Sequence, residues 1–215
     1  MKNKKTVLFA SLLLFVAFIA ITIFYQKSVD TKTQQLATNS TGAPFMREHS
    51  PSFGENKNKV IITEFFDPEC ESCRALHPVI KEIFNDYKEE TKLVMRYLAF
   101  HKNSNFAVKL LEAARKQNKF NEALDVIFKY QPLWAEHNNE KPELLWGFLS
   151  ETTLDMKKLR EDFDTVQIDD ILTLDEQDAR TLGVTGTPTF YVNGKVLREL
   201  THKALLDLVE SEIYK

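Results

Sequence analysis

Only two cysteines occur in the 215 residues, and they stand three apart as Cys70-Glu71-Ser72-Cys73. A C-x-x-C pair can close a short disulfide, exchange it with another thiol, or supply half of a zinc site. Its surroundings separate these uses. The pair follows Val60 to Phe66, a β-branched and aromatic run that reads as a central strand, and it opens a helical pattern. A thiolate at a helix N-terminus is favoured by unpaired backbone N–H groups and by the helix dipole. The thiolate is also the form that attacks a disulfide. The position therefore predicts Cys70 as an exposed nucleophile and Cys73, one turn deeper on the same helical face, as the thiol that closes or resolves the bond.

Other residues could serve that chemistry. Glu64 interrupts the apolar strand on the same face as Ile62 and Phe66. One reading is a solvated carboxylate at the sheet end. The other is a buried acid of raised pKa that passes a proton to and from the inner cysteine. His77 stands four residues after Cys73, so Cys70, Cys73 and His77 could give three soft ligands to copper or zinc. A tetrahedral site would need a fourth ligand, and no third cysteine exists. Arg74 excludes a c-type haem attachment. His49, His137 and His202 have no partners that spacing identifies. No phosphate loop, Ser-His-Asp set or other cofactor signature is present.

The elements that must position these groups are legible by period. Leu76, Val79, Ile80, Ile83, Phe84 and Tyr87 mark an amphipathic helix with Pro78 inside it, where a kink is expected. Leu93 to Phe100 reads as a second strand, so the opening predicts a βαβ unit. From Ser104 to Leu182 the pattern is helical, interrupted at Pro132 and Pro142, with a last helix from Asp164 to Leu182 capped by Gly183. Thr189 to Val192 and Lys195 to Leu197 predict two short strands around an Asn193-Gly194 type I′ turn. Leu205, Leu206, Val209 and Ile213 close the chain as a helix. Pro188, immediately before a strand, suggests a rigid X-Pro bond, with cis and trans both open.

At the other end, Lys2, Lys4 and Lys5 precede an apolar run from Val7 to Tyr25. Nineteen helical residues span about 28 Å, enough for a hydrocarbon core, and the basic flank orients the N-terminus to the cytoplasm. A cleaved signal peptide is the alternative; no clear A-x-A site ends the run. The expected organisation is a basic flank at 1–6, a transmembrane signal-anchor at 7–25, a polar tether at 26–54 and a catalytic domain at 55–215. Everything after the anchor is expected outside the cytoplasm, where disulfides persist. The formal net charge of −3 and the lack of a basic block beyond the flank give no sign of nucleic acid.

Together, Phe65-Phe66, Cys70-Glu71-Ser72-Cys73, Gly186-Thr187-Pro188-Thr189-Phe190 and Asn193-Gly194-Lys195 resemble the thioredoxin superfamily in order and spacing. Glu64 falls where that family places its buried acid. The helical stretch between Phe100 and Asp164 resembles the insertion of DsbA-like thiol:disulfide oxidoreductases, including membrane-tethered BdbD-type and ScsC-type proteins, and His101-Lys102-Asn103-Ser104 looks like its entry. The resemblance covers about Lys59 to Lys215. It implies an α/β thioredoxin fold with a helical insertion at about 101–164 and a catalytic set of Cys70, Cys73, Glu64, Thr187 and Pro188, with Thr187-Pro188 as the cis-proline loop. It implies thiols and disulfides of exported proteins as substrates, and a membrane redox partner at the inner (cell) membrane, with the domain on the periplasmic or extracytoplasmic side. Oxidation, reduction and isomerisation all stay open. One departure stands out. Glu71-Ser72 replaces the Pro-His of DsbA itself, and a carboxylate beside the thiolate is expected to make the couple less oxidising.

Overall fold

The computed structural model describes residues 3–38, 43–57 and 59–215. Lys2, part of the basic flank, lies outside the described residues. Helix α1 (Asn3–Thr38) carries the apolar run. Its segment Leu8–Ser28 is 21 residues long, has a mean hydropathy of 2.6 and has no residue buried in the protein, so it is long and apolar enough to cross a membrane. The helix continues to Thr38, well into the stretch expected as an irregular tether.

The sheet has five strands in the order β1-β3-β2-β4-β5. They are β1 (Ser52–Phe53), β2 (Val60–Phe66), β3 (Thr91–Tyr97), β4 (Thr189–Val192) and β5 (Lys195–Val196). β2 and β3 run parallel, joined through α2 (Glu71–Asp86), which is the expected βαβ unit. α2 continues through Pro78 as one 16-residue helix. β4 pairs antiparallel with β2, placing Glu64 opposite Phe190, and β5 returns through a turn with positive φ at both Asn193 and Gly194.

Side chains alternate across this sheet. One face holds Ile62, Phe66, Met95, Tyr97, Phe190 and Val192, packed in the larger core with α2 and α9 (His202–Ile213). The other holds Phe65 and Tyr191, packed with Phe45, Leu98, Ala179 and Leu182. The insertion comprises α3 (Ser104–Arg115), α4 (Phe120–Lys129), α5 (Gln131–Trp134), a 3-10 turn at Pro142–Leu144, α6 (Leu145–Leu149) and α7 (Met156–Thr165). The helix expected from Asp164 to Leu182 is instead the end of α7, an extended break at Val166, and α8 (Asp169–Leu182). Asp155 caps α7 by accepting from the amides of Lys157 and Lys158. Gly183 ends α8 at φ +73, the left-handed conformation that a side chain would disfavour.

The boundary expected at residue 54 moves toward the N-terminus. Phe45 is buried, and Arg96, fully enclosed under β3, donates to the Pro44 carbonyl at 2.6 Å. Arg47 forms a two-pronged ion pair with Asp178, both contacts at 2.8 Å. His49 reaches Asp175 at 2.7 Å. Polar composition read as tether hid these anchors, because a strap held by ion pairs has the composition of a linker.

Candidate active site

β2 ends at Phe66, and Asp67-Pro68-Glu69 turn the chain so that Cys70 caps α2 with φ −75° and ψ 123°. The Cys70 side chain makes no capping hydrogen bond, so the first amides of α2 are left facing its sulfur. Cys70 is 8% exposed and Cys73 is fully buried; both are free thiols. Cys70 stands at the helix start, where its spacing put it, but only a sliver of it reaches solvent, against the expected exposure.

The two sulfurs are driven apart in acidity. Cys70 is lowered to about 5: the Cys73 thiol is the largest influence, burial opposes it, and the Thr187 side chain and the backbone amides of Cys73 and Ser72 add to the stabilisation. Cys73 is pushed far up by burial, by its role as donor to Cys70 and by the charge of Glu64. The Asp67 amide, 3.5 Å from the Cys73 sulfur, opposes that rise. Thr187 meets Cys70 in both states, since its carbonyl, 3.4 Å from the sulfur, accepts from the neutral thiol. The Thr187–Pro188 bond is cis, and the Thr187 carbonyl lies against Cys70.

Glu64 is buried beneath the pair, and its Oε2 has no hydrogen-bond partner. Burial, with a smaller contribution from the Cys70 charge, raises it to about 8. Of the two readings of this residue, the solvated sheet-end carboxylate is not what the fold builds. Glu64 also lines a cavity of about 70 Å³ together with His77, Ile80, Lys81, Met95 and Asp125. His77 is engaged there: its Nε2 lies 2.7 Å from Asp125, and its ring packs on Phe128 at 5.0 Å between centroids. Among the described residues no cluster of three or more His, Cys, Asp or Glu side chains is arranged to hold a metal.

Glu71 points away from the chemistry. Its side chain is 72% exposed, and the largest influences on Cys70 are Cys73, burial, Thr187 and the helix amides. Solvent screens an exposed carboxylate, while the helix amides and Cys73 act at contact, so the position of Glu71 lends little weight to the less oxidising couple expected from it.

Sequence reading missed a set of polar groups that hold the active-site turn. Asp67 is fully buried and accepts from the amides of Glu69, Phe100 and His101, from the Ser104 hydroxyl at 2.6 Å, and from His101 Nδ1 at 2.8 Å. Glu69 accepts from the backbone and side chain of Asn103. Burial disfavours the His101 imidazolium, but Asp67, Cys70 and Glu69 outweigh it, and the His101 pKa is raised. His101, its protonated form favoured by these carboxylates, thus acts on Cys70 from outside the C-x-x-C. The signal available in the sequence was the His101–Ser104 stretch, legible as an entry to the insertion though not as a partner of the turn.

Fold and site define a thioredoxin-fold protein with a C-x-x-C at a helix start, a cis-proline loop beside it and a helical insertion. The family profile described as thioredoxin matches residues 47–211, and the chain belongs to that family. Among curated proteins, the chain is 27% identical over 194 residues to disulfide bond formation protein D of Bacillus subtilis, with 86% of each chain covered. It is 28% identical over 145 residues to a Na(+)/H(+) antiporter NhaA of Herminiimonas arsenicoxydans, covering 67% of this chain but 22% of the antiporter, so it spans about a fifth of that relative's length. The crystal structure of oxidised BdbD from Bacillus subtilis superposes with a TM-score of 0.67 at 24% identity, covering 77% of this chain and 94% of that one. That likeness shows the same fold.

Proposed function

We propose that the chain is a thiol:disulfide oxidoreductase acting through Cys70 and Cys73, and that it runs as a disulfide donor. The observation that carries this reading is the split between the two sulfurs, with Cys70 held near 5 and Cys73 buried above its ordinary range. In the oxidised form a substrate thiolate attacks the Cys70 sulfur, the Cys70–Cys73 bond breaks, and Cys73 leaves with the electron pair. Glu64, neutral at pH 7 by its raised pKa, gives Cys73 its proton. A second substrate thiolate then attacks the substrate sulfur of the mixed disulfide, and Cys70 leaves as a stable thiolate. The substrate loses two electrons and becomes a disulfide; the protein gains them as a thiol and a thiolate. The cis Thr187–Pro188 loop offers backbone to which an extended substrate segment pairs as an added strand.

The direction follows from linkage. A thiol held near 5 rather than its usual ~8.5 stabilises the reduced form by roughly 3 kcal/mol at pH 7, which corresponds to roughly 60 mV toward the oxidising side. The name of the Bacillus relative supports the same direction. The apolar Leu8–Ser28 segment, preceded by lysines, supports a single-pass anchor with the domain outside the cytoplasm. Its substrates there are thiols of exported proteins, and a membrane redox partner reoxidises it. The test is the reduction potential of the couple against glutathione. A value above about −220 mV is expected, and one at or below thioredoxin's about −270 mV overturns the donor direction. Proteolysis of intact cells tests the location, since an outward-facing domain is degraded without lysis.

A further inference from the structure

Gln131 opens α5, the third helix of the insertion and 61 residues from Cys70 in sequence, yet its side chain belongs to the turn that carries Cys70. It is 2% exposed. Its Nε2 donates to the carbonyls of Pro68 at 3.0 Å and Cys70 at 3.1 Å. Its Oε1 accepts from Arg74 Nε at 3.0 Å. One amide therefore grips the residues before, at and after the helix start. The Cys70 carbonyl also accepts the Arg74 amide, the first turn of α2, at 3.1 Å. The position of α5 is itself fixed. Trp134, three residues on, is fully buried and donates its indole N–H to the Ile127 carbonyl at 2.8 Å.

We propose that Gln131 is a positioning residue for thiol exchange, through which the helical insertion sets the geometry, and so the reactivity, of Cys70. The inference rests on the C-x-x-C as the working couple. Gln131 Nε2 and the Arg74 amide together hold the Cys70 carbonyl, and Gln131 also holds the Pro68 carbonyl, so the turn and the first turn of α2, with its Ser72 and Cys73 amides beside the Cys70 sulfur, are fixed relative to each other. Losing Gln131 takes that donor from the buried Pro68 carbonyl and leaves the Cys70 carbonyl with the Arg74 amide alone, which loosens the turn that carries Cys70. The other groups that act on or near Cys70, namely Cys73 within α2 and Glu64, Thr187 and His101 from other parts of the chain, are not among the hydrogen-bond partners of Gln131. Arg74 borders a groove with Glu71, Pro132 and His137, so the same amide also orients a charged side chain beside the nucleophile.

The experiment is a pH titration of Cys70, followed by thiolate absorbance and by iodoacetamide alkylation, in the reduced full chain. Gln131→Met removes all three contacts at similar volume. It is expected to raise the Cys70 midpoint by about one pH unit and to slow alkylation about fivefold at pH 5. Arg74→Met, which breaks only the Oε1 contact, is expected to move the midpoint by less than half as much. Gln131→Glu keeps the size and the Arg74 link but presents oxygen to two carbonyls, and it is expected to shift the midpoint at least as far. It also serves if Gln131→Met does not fold. An unchanged midpoint in whichever of these two variants folds overturns the proposal, whatever happens to the melting temperature. Failure of the wild-type protein to exchange with glutathione would overturn the function above, while the titration would still decide the role of Gln131.

Discussion

Glu64 and Asp175 are buried carboxyl groups that meet neighbouring strands of the same sheet, and the protein treats them in opposite ways. Asp175 accepts from Arg96 Nε at 2.9 Å, from the Tyr97 amide at 2.7 Å and from His49 at 2.7 Å. Its neighbour Asp178 is held below its usual range: burial opposes this, but Arg47 and Arg96 outweigh it. Glu64 has an oxygen with no partner and is pushed up to about 8. Both sites carry the desolvation cost of a buried acid. Only one recovers it through hydrogen bonds and opposite charge. A cluster satisfied on every side is built to stay in one state, whereas an acid left unpaired next to a sulfur is built to change protonation.

The most severe way to break this comparison is to unbalance the satisfied side. Arg96→Leu leaves Asp175 and Asp178 buried without their shared cation and should cost about 3–5 kcal/mol, read from urea unfolding. The Cys70 titration in the remaining folded protein should not move; a shift would mean that the two regions are coupled.

Glu64→Gln probes the other side and should stabilise. The folded pKa of Glu64 lies above its unfolded value, so the folded state holds an extra proton between about 4.3 and about 8 and loses stability as pH rises through that window. The variant should therefore match wild type near pH 4 and exceed it by roughly 3 kcal/mol at pH 7. Formation of the mixed disulfide at Cys70, in which Cys73 leaves and takes a proton, should slow by at least about tenfold, the scale of a lost proton donor. A variant that is less stable at pH 7 would show that Glu64 is a paired structural acid like Asp175.

The mildest change sharpens the contrast between buried and exposed charge. Glu71→Gln should move the reduction potential by less than about 10 mV, because the carboxylate is solvated. A shift of several tens of millivolts would restore the influence expected of Glu71 from its place between the cysteines.

What the sequence made legible was whatever repeats locally. The strand Val60–Phe66, the helix after Cys70, the Asn193-Gly194 turn and the Gly183 cap each announce themselves within a few residues. Five site positions, Cys70, Cys73, Glu64, Thr187 and Pro188, come together in space, the last two through resemblance rather than pattern. Hidden from the sequence were contacts of long separation between ordinary polar residues. Gln131 looks like a helix-end glutamine before a proline, and Asp67 like a turn residue; nothing in composition says that one bonds across 61 residues and the other across 34. His49 looked partnerless for the same reason, with Asp175 lying 126 residues away.

The strap at Pro44–His49 also sets how far the catalytic face can travel. With α1 held in a membrane through Ser28, the helix beyond it to Thr38 forms a stalk of about 15 Å. Only residues 39–43 lie between that stalk and the strap, a stretch that reaches at most roughly 18 Å when fully extended. An anchor of that kind would confine Cys70 and Cys73 to a shallow shell above the bilayer. Proteins emerging through or lying on that surface would fall within their reach, while those diffusing farther out would have to come to them.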